Sequence, residues 1–138
     1  MFSVVENQDD LLKAFSVRSI VFIEEQDVPY SIEVDGLDFG AVHVLGEIDG
    51  EPFATGRMRF MGEYVKLERL AIRKAYRGKG YGNQLIQFMM KTVQEMGYSK
   101  FKLHAQTQAL DFYEKHGFKA RGDIFYEADI EHLLMVCD

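Results

Sequence analysis

The stretch Arg77-Gly78-Lys79-Gly80-Tyr81-Gly82 lies between a predicted strand and a predicted helix. Its three alternating glycines let the backbone approach a ligand closely. The free amides at the start of the next helix point toward such a ligand, and the helix dipole adds roughly half a positive charge there. Arg77 and Lys79 would supplement that charge. The stretch therefore predicts a pyrophosphate-binding loop, and a glycine-rich turn with solvated basic residues is the alternative interpretation.

Spacing separates the known classes of phosphate loop. A dinucleotide fingerprint that starts at Gly78 requires a sixth-position glycine where this chain has Asn83, and it belongs in a first βαβ unit rather than after an antiparallel meander. The nucleotide-hydrolase pattern G-x-x-x-x-G-K-[ST] does not occur. The pattern that remains is [QR]-x-x-G-x-[GA], which the stretch matches.

Elements around the loop follow from periodicity and turn residues. From Tyr81 onward apolar residues recur at helical spacing as far as Gly97, which can cap the helix in a left-handed conformation. The residues before the loop alternate as strands do, and an Asp-Gly step at 49–50 indicates a hairpin. Asn7 can cap an early helix. The predicted strands are residues 2–6, 41–48, 53–61, 64–72, 101–105, 118–126 and 132–136, and the predicted helices are residues 7–26, 81–97 and 107–116.

This order predicts a mixed α/β (α+β) fold in one domain, residues 1–138, with antiparallel strands first and one β-loop-α-β crossover in the middle. A chain of 138 residues with 47% hydrophobic content can build one core. The segment 27–40 has a loop composition that can include one helical turn.

Composition also limits location and partners. The net charge of −6 argues against nucleic acid as a partner, and no apolar run approaches the length of a membrane helix. The single cysteine, Cys137, cannot form an internal disulfide, which fits the cytoplasm. Five cations within eleven residues suggest a small polyanionic ligand: Arg69, Arg73, Lys74, Arg77 and Lys79.

Two further stretches extend the match beyond the loop. Leu67-Glu68-Arg69-Leu70-Ala71-Ile72 precedes it, and Ala109-Leu110-Asp111-Phe112-Tyr113-Glu114-Lys115-His116-Gly117-Phe118 fits the pattern A-x-x-F-Y-x-x-x-G-F. Together with the loop, these stretches resemble the GNAT superfamily of acetyl-coenzyme A dependent N-acetyltransferases. The segment Arg18-Ser19-Ile20-Val21-Phe22-Ile23-Glu24-Glu25-Gln26-Asp27-Val28-Pro29 is similar to the branch that includes the ElaA and YjcF-like proteins.

The resemblance implies the GNAT fold, acetyl-CoA as co-substrate, and acetyl transfer to a small-molecule or peptide amine by direct attack in a ternary complex. It implies that loop amides hold the pyrophosphate, that the pantetheine arm pairs with the preceding strand, and that an amide near Leu70 faces the thioester oxygen. The implied cofactor contacts are Leu70, Ala71, Ile72, Arg77, Gly78, Lys79, Gly80, Tyr81, Gly82, Asn83, Gln106 and Phe112.

Two catalytic residues are predicted. The resemblance places Tyr113 near the sulfur as general acid, a role that requires its pKa of about 10 to come close to the thiol value of about 8.5; a buried core aromatic is the alternative. Hairpin geometry places Arg57 opposite Glu68 and Arg59 opposite Lys66. Glu68 is the candidate base, and equally a candidate salt-bridge partner of Arg57.

The roles of the four histidines and the nature of the acceptor are less well determined by the sequence. His104 is an alternative base, whereas His43, His116 and His132 are interpreted as structural or surface residues. No metal is predicted, since no His or Cys pair has ligand spacing. Monomer and homodimer both remain open. The rival function is an acyl-CoA binding or sensing module, which Glu68 locked to Arg57 would favour. The acceptor pocket is expected at residues 27–40 and the last hairpin, where Glu33, Asp35 and Asp38 suggest either a cationic acceptor or a solvated acidic loop.

Overall fold

A computed structural model describes all residues, 1–138. Seven strands form a single sheet: β1 (Phe2–Val4), β2 (Val42–Ile48), β3 (Glu51–Met61), β4 (Tyr64–Ile72), β5 (Lys100–Gln106), β6 (Lys119–Glu127) and β7 (Ile130–Cys137). Four α-helices accompany it: α1 (Gln8–Arg18), α2 (Tyr30–Glu33), α3 (Tyr81–Gln94) and α4 (Leu110–Glu114). A π-helix follows α1 at Ser19–Glu25, and short 3₁₀ turns occupy Lys74–Tyr76 and Thr107–Ala109. The predicted α/β class is confirmed.

The N-terminal helix has the predicted extent but not the predicted winding. Asn7 caps it, because its side-chain oxygen accepts a hydrogen bond of 2.8 Å from the amide of Asp10. After Arg18 the chain continues as a π-helix through Glu25, which periodicity alone did not indicate. π-Helical stretches are rare and often lie at functional sites. The π-helix carries Phe22, which lines a cavity described below, and Glu25, which pairs with Arg77 of the glycine loop.

The first hairpin turns more tightly than the sequence suggested. Asp49 and Gly50 both have positive φ (52° and 79°), as a two-residue type I′ turn requires. β3 therefore begins at Glu51 and includes Pro52, which pairs with Glu47 next to a register shift in β2. The predicted connection of four residues, 49–52, was too long. The predicted helical turn in segment 27–40 is present as α2.

The sheet has the order β1-β2-β3-β4-β5-β7-β6, and all neighbours are antiparallel except β4 and β5. α3 forms the crossover between those two parallel strands. It buries Leu85, Ile86, Met89 and Val93 against one face of the sheet, where they join the main core. The opposite face carries α1 and the polar groups of β3, β4 and β5.

β4 is irregular at two places, and both shape the opening in the sheet where the candidate active site lies. β4 and β5 pair only at Tyr64↔Lys100, Val65↔Phe101 and Lys66↔Lys102, so the two strands separate beyond Lys66 and leave a V-shaped opening in the sheet. On its other side β4 contains a bulge, because Arg69 and Leu70 together lie opposite Gly56 alone. Arg69 takes a positive φ of 53° there.

The hairpin register predicted for β3 and β4 is confirmed: Arg57 pairs with Glu68, and Arg59 pairs with Lys66. These four side chains lie on the polar face, since partners in register share a face of the sheet. Arg57 is fully buried there, and Glu68 is nearly so.

A buried ionic network fastens segment 27–40 to the sheet. Arg18 donates to Glu33 (2.8 Å) and Asp38 (2.6 Å), and Arg57 donates to Asp38 (2.8 Å) and Asp35 (2.9 Å). With the pairs made by Arg69, Arg59 and Glu68, four arginines balance four carboxylates. The acids of this segment are therefore neither a solvated loop nor a free cation site, because arginines occupy them.

Asp38→Asn is expected to destabilise the fold by about 3 kcal/mol, because it leaves Arg18 and Arg57 buried with one partner fewer. Glu63→Gln, which breaks only an exposed pair with Lys100, should cost at most about 1 kcal/mol. Urea unfolding of both variants measures the difference. Equal losses would show that the network does not carry stability.

Acid should act on the same groups. Burial opposes ionisation of Asp38, but hydrogen bonds from Arg18 and Arg57 outweigh it and lower the pKa of this carboxyl. The hydrogen bond from Arg57 likewise lowers the pKa of Asp35. Since these folded-state values lie below the unfolded value of about 3.9, the stabilisation is complete above about pH 4 and is lost as the pH falls toward the folded values.

Candidate active site

The glycine loop has the backbone that the sequence predicted. Gly78 and Gly80 have positive φ angles of 79° and 84°, and Gly80 is the N-cap of α3 in a left-handed conformation. Together with Ile72, Tyr81 and Phe112, the loop lines a cleft of about 450 Å³. The amides of the first turn of α3 have no intrahelical partner and are available to an anion.

The five cations near the loop are mostly engaged. Arg77 forms a bidentate pair with Glu25 (2.6 and 2.8 Å), Arg73 pairs with Glu51 (2.6 Å), and Arg69 belongs to the buried network. Lys74 and Lys79 form no ion pair. Of the five cations, Lys74 and Lys79 therefore keep a charge that no carboxylate pairs with.

Other predicted cofactor contacts cluster around the same cleft. The Phe112 ring lies 3.4 Å from the position that a Cβ on Gly82 would occupy, so a side chain at Gly82 would press on this ring. Asn83 bonds His116 at 2.9 Å. Gln106 lies at the adjoining cavity, where its amide donates to Gln26 at 3.2 Å. Most of the predicted contacts thus border these two adjoining clefts, whereas Ala71 and Lys79 line neither of them, and Ala71 is buried against Val17 and Val21.

The V-shaped opening between β4 and β5 forms a second cavity of about 260 Å³. β4 contributes Lys66 through Leu70, and past Lys66 this edge of β4 has no strand partner. β5 contributes His104, and the cavity meets the glycine-loop cleft at Ala109, which lines both. The other polar side chains that line the cavity include Tyr113, Glu127 and His132.

Tyr113 lines this cavity, but its acidity moves in the opposite direction from the prediction. Burial raises the pKa of Tyr113 to about 12, away from the thiol value. Its ring also contacts Phe112 and Phe118, with ring centroids 5.0 and 6.1 Å away. The side chain is therefore both part of the packing and a neutral hydroxyl at the cavity.

Glu68 lines the cavity too, but both of its oxygens are engaged. Arg57 donates to one oxygen, and the Nε of Arg59 donates to the other at 2.6 Å. Both oxygens of the carboxylate are thus occupied by guanidinium groups rather than left for an incoming amine. The geometry favours the salt-bridge interpretation of Glu68 over its predicted role as base.

His104, the alternative base considered from the sequence, lies on β5 beside the last hairpin. The Nδ1 of His104 donates to Glu127 at 2.6 Å, so Nε2 is the ring nitrogen that is left for another partner. His104 retains 29% of its side-chain exposure. The hydrogen bond from His104 lowers the pKa of Glu127, so this carboxyl stays ionised. The imidazole is thus oriented by a carboxylate, the arrangement typical of a general base.

The same carboxylate is shared with a second histidine. The Nδ1 of His132 donates to the carbonyl of Ile130 at 2.7 Å, and its Nε2 lies 4.0 Å from Glu127. Phe125 packs between the two rings, 4.9 Å from His104 and 5.9 Å from His132. His132 was predicted to be structural or at the surface, and the structure places it at the cavity. Glu127 was not predicted at all.

Comparisons with known proteins decide the family. A family model described as an acetyltransferase (GNAT) domain matches residues 37–138. The chain belongs to the GNAT acetyltransferase family. The uncharacterized N-acetyltransferase YjcF of Bacillus subtilis is 39% identical over 137 residues, which cover 98% of this chain and 97% of YjcF.

Solved structures agree with the GNAT fold. An acyl-CoA N-acyltransferase from Pseudomonas aeruginosa superposes with a TM-score of 0.92 at 27% identity, covering 100% of this chain and 99% of that one. Escherichia coli ElaA gives 0.91 at 25% identity, with the same coverage. The branch that the sequence indicated is therefore confirmed. No helix of this GNAT protein is both long and apolar enough to cross a bilayer.

Proposed function

We propose that this protein transfers the acetyl group of acetyl-CoA to a primary amine by direct attack in a ternary complex. The observation that carries the proposal is the meeting of two clefts at the open edge of β4: one lined by the glycine loop, the other by His104, Glu127 and Tyr113. A GNAT structure from Elizabethkingia anophelis with acetyl-CoA bound has a TM-score of 0.75 to this chain at 14% identity, which supports the fold.

Acetyl-CoA is the co-substrate, and it supplies an activated thioester. The amides of residues 78–83 would hold its pyrophosphate, and Lys74 and Lys79 would add charge to that site. The edge of β4 at Leu70 and Ile72 has no strand partner and would bond the pantetheine arm as an added strand does, sharing the Ile72 carbonyl that already accepts from Arg77 Nε at 2.8 Å. Because the bulge at Arg69 and Leu70 breaks the ladder, the Leu70 amide is the donor we assign to the thioester oxygen, a contact worth roughly 3 kcal/mol in the transition state.

His104 is the base in this proposal. An ordinary amine with a pKa of about 10.4 must lose a proton before attack, which at pH 7 costs roughly 4 to 5 kcal/mol. His104 Nε2 would accept that proton, and Glu127 would stabilise the imidazolium that forms. The neutral amine nitrogen bonds the acetyl carbon, the carbon–sulfur bond breaks, and the thiolate leaves with its electron pair. The nitrogen then loses its second proton to water, which gives the amide and balances the proton that the thiolate takes up. The proton taken by His104 returns to solvent.

Tyr113 serves the thiolate as a hydrogen-bond donor. Full proton transfer from a phenol of pKa about 12 to a thiolate of pKa about 8.5 is uphill by roughly 5 kcal/mol. A neutral hydroxyl nonetheless donates to the developing charge, and the final proton on sulfur comes from water. This modifies the predicted general acid into an electrostatic role at the same residue.

Tyr113→Phe is expected to lower turnover by about ten- to a hundredfold, because it removes one donor to the leaving group and keeps the ring. The melting temperature and coenzyme A affinity should change little. The pH–rate profile should show no tyrosine-dependent falling limb below about pH 10 in either protein, since the pKa lies at about 12. Turnover unaffected by the substitution would leave Tyr113 as a packing residue only.

The rival function, an acyl-CoA binding or sensing module, gains support from the engagement of Glu68 by Arg57 and Arg59. It does not explain why His104 and Glu127 form an oriented pair at the same cavity. Binding is common to both functions and can be tested first. Coenzyme A and acetyl-CoA should raise the melting temperature far more than NAD or ATP, because a ligand of the folded state stabilises by mass action. If NAD stabilised the protein as much as coenzyme A does, the glycine loop would not be a specific coenzyme A site, and neither function would be supported.

A further inference from the structure

Lys66 is a cation that lines the cavity between β4 and β5 and has no ion-pair partner. It lies on the polar face of β4, between Arg59 on β3 and Lys102 on β5, with which it is in register. It is half-buried and lines the cavity. No carboxylate oxygen lies within 4.0 Å of its amine.

The other charges that line the cavity are already engaged. Glu68 is held by Arg57 and Arg59, and Arg69 lies against Glu33 and Asp35. Glu127 accepts from His104. Lys66 therefore remains as the cation that can receive a new anion without breaking an existing pair.

The surroundings of Lys66 favour an incoming anion. Burial lowers the pKa of its ammonium, and the positive charges of Arg59 and Lys102 lower it further, whereas Glu68 and Glu127 raise it. A buried ammonium without a counter-ion is costly, and an anion bound to it removes part of that cost. The direction of this effect agrees with the absence of an ion pair at Lys66.

The position of Lys66 relative to His104 limits the size of the acceptor. Lys66 is in register with Lys102, and His104 lies two residues further along β5 on the same face. For paired strands this offset would separate the Cα atoms of Lys66 and His104 by roughly 8 Å, and the divergence of β4 and β5 beyond Lys66 makes the separation somewhat larger. Both side chains reach into one cavity of about 260 Å³. An amine at His104 and an anion at Lys66 can thus belong to one small molecule.

We propose that Lys66 binds an anionic group of the acceptor, so that the acceptor is a small primary amine with a carboxylate or phosphate a few bonds from its nitrogen. This rests on the proposed acetyl transfer with His104 as base. It also reverses the expectation of a cationic acceptor, because the acids that suggested one are occupied by arginines.

Matched acceptor pairs test the proposal. β-Alanine is compared with β-alaninamide, and phosphoethanolamine with ethanolamine, so that each anionic amine has a neutral counterpart. In the native protein kcat/KM should favour the anionic member of at least one pair, and which pair responds distinguishes carboxylate from phosphate. Lys66→Met should reduce that preference by about tenfold to a hundredfold, mainly through KM, since one charge-assisted contact is lost. Lys66→Arg should restore most of it.

The control is Lys100→Met, which removes the same charge from a lysine that pairs with Glu63 outside the cavity. Its preference should equal that of the native protein. Comparing this ratio between variants cancels differences in intrinsic amine reactivity. An unchanged preference in Lys66→Met, or equal losses in Lys66→Met and Lys100→Met, would overturn the proposal while leaving acetyl transfer intact.

A binding measurement separates failure of this proposal from failure of the catalytic one. In the presence of coenzyme A, N-acetyl-β-alanine should bind the native protein at least about tenfold more tightly than N-acetyl-β-alaninamide, and Lys66→Met should abolish the difference. For the phosphate arm, N-acetylphosphoethanolamine and N-acetylethanolamine are compared in the same way. Calorimetry measures these affinities without any turnover. If neither anionic ligand is preferred, Lys66 does not recognise an anion, whether or not the protein transfers acetyl groups.

Discussion

His104→Ala should lower kcat by about a hundredfold to ten-thousandfold, the range typical of a lost general base. The imidazole is the group at the cavity that combines a free ring nitrogen with an orienting carboxylate 2.6 Å from its other nitrogen. Affinity for coenzyme A should stay within about twofold, because the predicted cofactor contacts lie on the loop and β4 rather than on His104. Steady-state rates and calorimetry measure the two effects.

Two comparisons distinguish a base from a structural histidine. Added imidazole should recover part of the His104→Ala rate, since a small base can enter the space left by the ring, and it should not recover Tyr113→Phe. Glu127→Gln should cost less than His104→Ala, because Glu127 orients the ring without contacting the amine. If His104→Ala retained full turnover, His104 would not be the base, and water would be the group that deprotonates the amine.

Gly80→Val should abolish measurable coenzyme A binding. Gly80 has φ +84°, where a β-branched residue is strained by roughly 1 to 2 kcal/mol or more. Relief of that strain would rotate the amides at the start of α3 away from the pyrophosphate. No atom lies within 4 Å of the new Cβ, so the fold itself has room for the side chain.

Gly62→Val provides a matched control for this loop. Gly62 has a similar φ of +68° and the same open surroundings, but it lies in the turn between β3 and β4, away from both clefts. Both variants should lose comparable stability, whereas only Gly80→Val should lose coenzyme A. If a folded Gly80→Val protein still bound coenzyme A with native affinity, the glycine loop would be only a turn and not the cofactor site.

The sequence predicted those parts of the fold that depend on local patterns. The glycine loop, the apolar stripe of α3 and the Asn7 cap are each determined by neighbouring residues, and the pairing of Arg57 with Glu68 follows from counting out of the turn at residues 62–63. The length of the 49–50 turn and the π-helix depend on fine backbone geometry, which periodicity does not resolve.

The pairing of His104 with Glu127 illustrates what local patterns miss. Glu127 and His104 are 23 residues apart in the chain. They come together because β7 pairs with β5, which brings β6, the other strand of the closing hairpin, within side-chain reach of His104. The acids of segment 27–40 show the same limit, since their buried arginine partners come from α1, β3 and β4. For Tyr113, sequence indicated the position, but burial, which raises its pKa, is a tertiary property.

Acetyl transfer itself is the most direct test of the proposed function. The protein is incubated with acetyl-CoA that carries a deuterated acetyl group and with a panel of amines, including the paired acceptors above, and product mass and free thiol are followed together. We expect N-acetylated amine and coenzyme A to form in equal amounts, at a rate that His104→Ala lowers at least about a hundredfold. A protein that binds coenzyme A yet forms no acetylated amine above the uncatalysed rate would contradict the proposed function and favour a binding or sensing module.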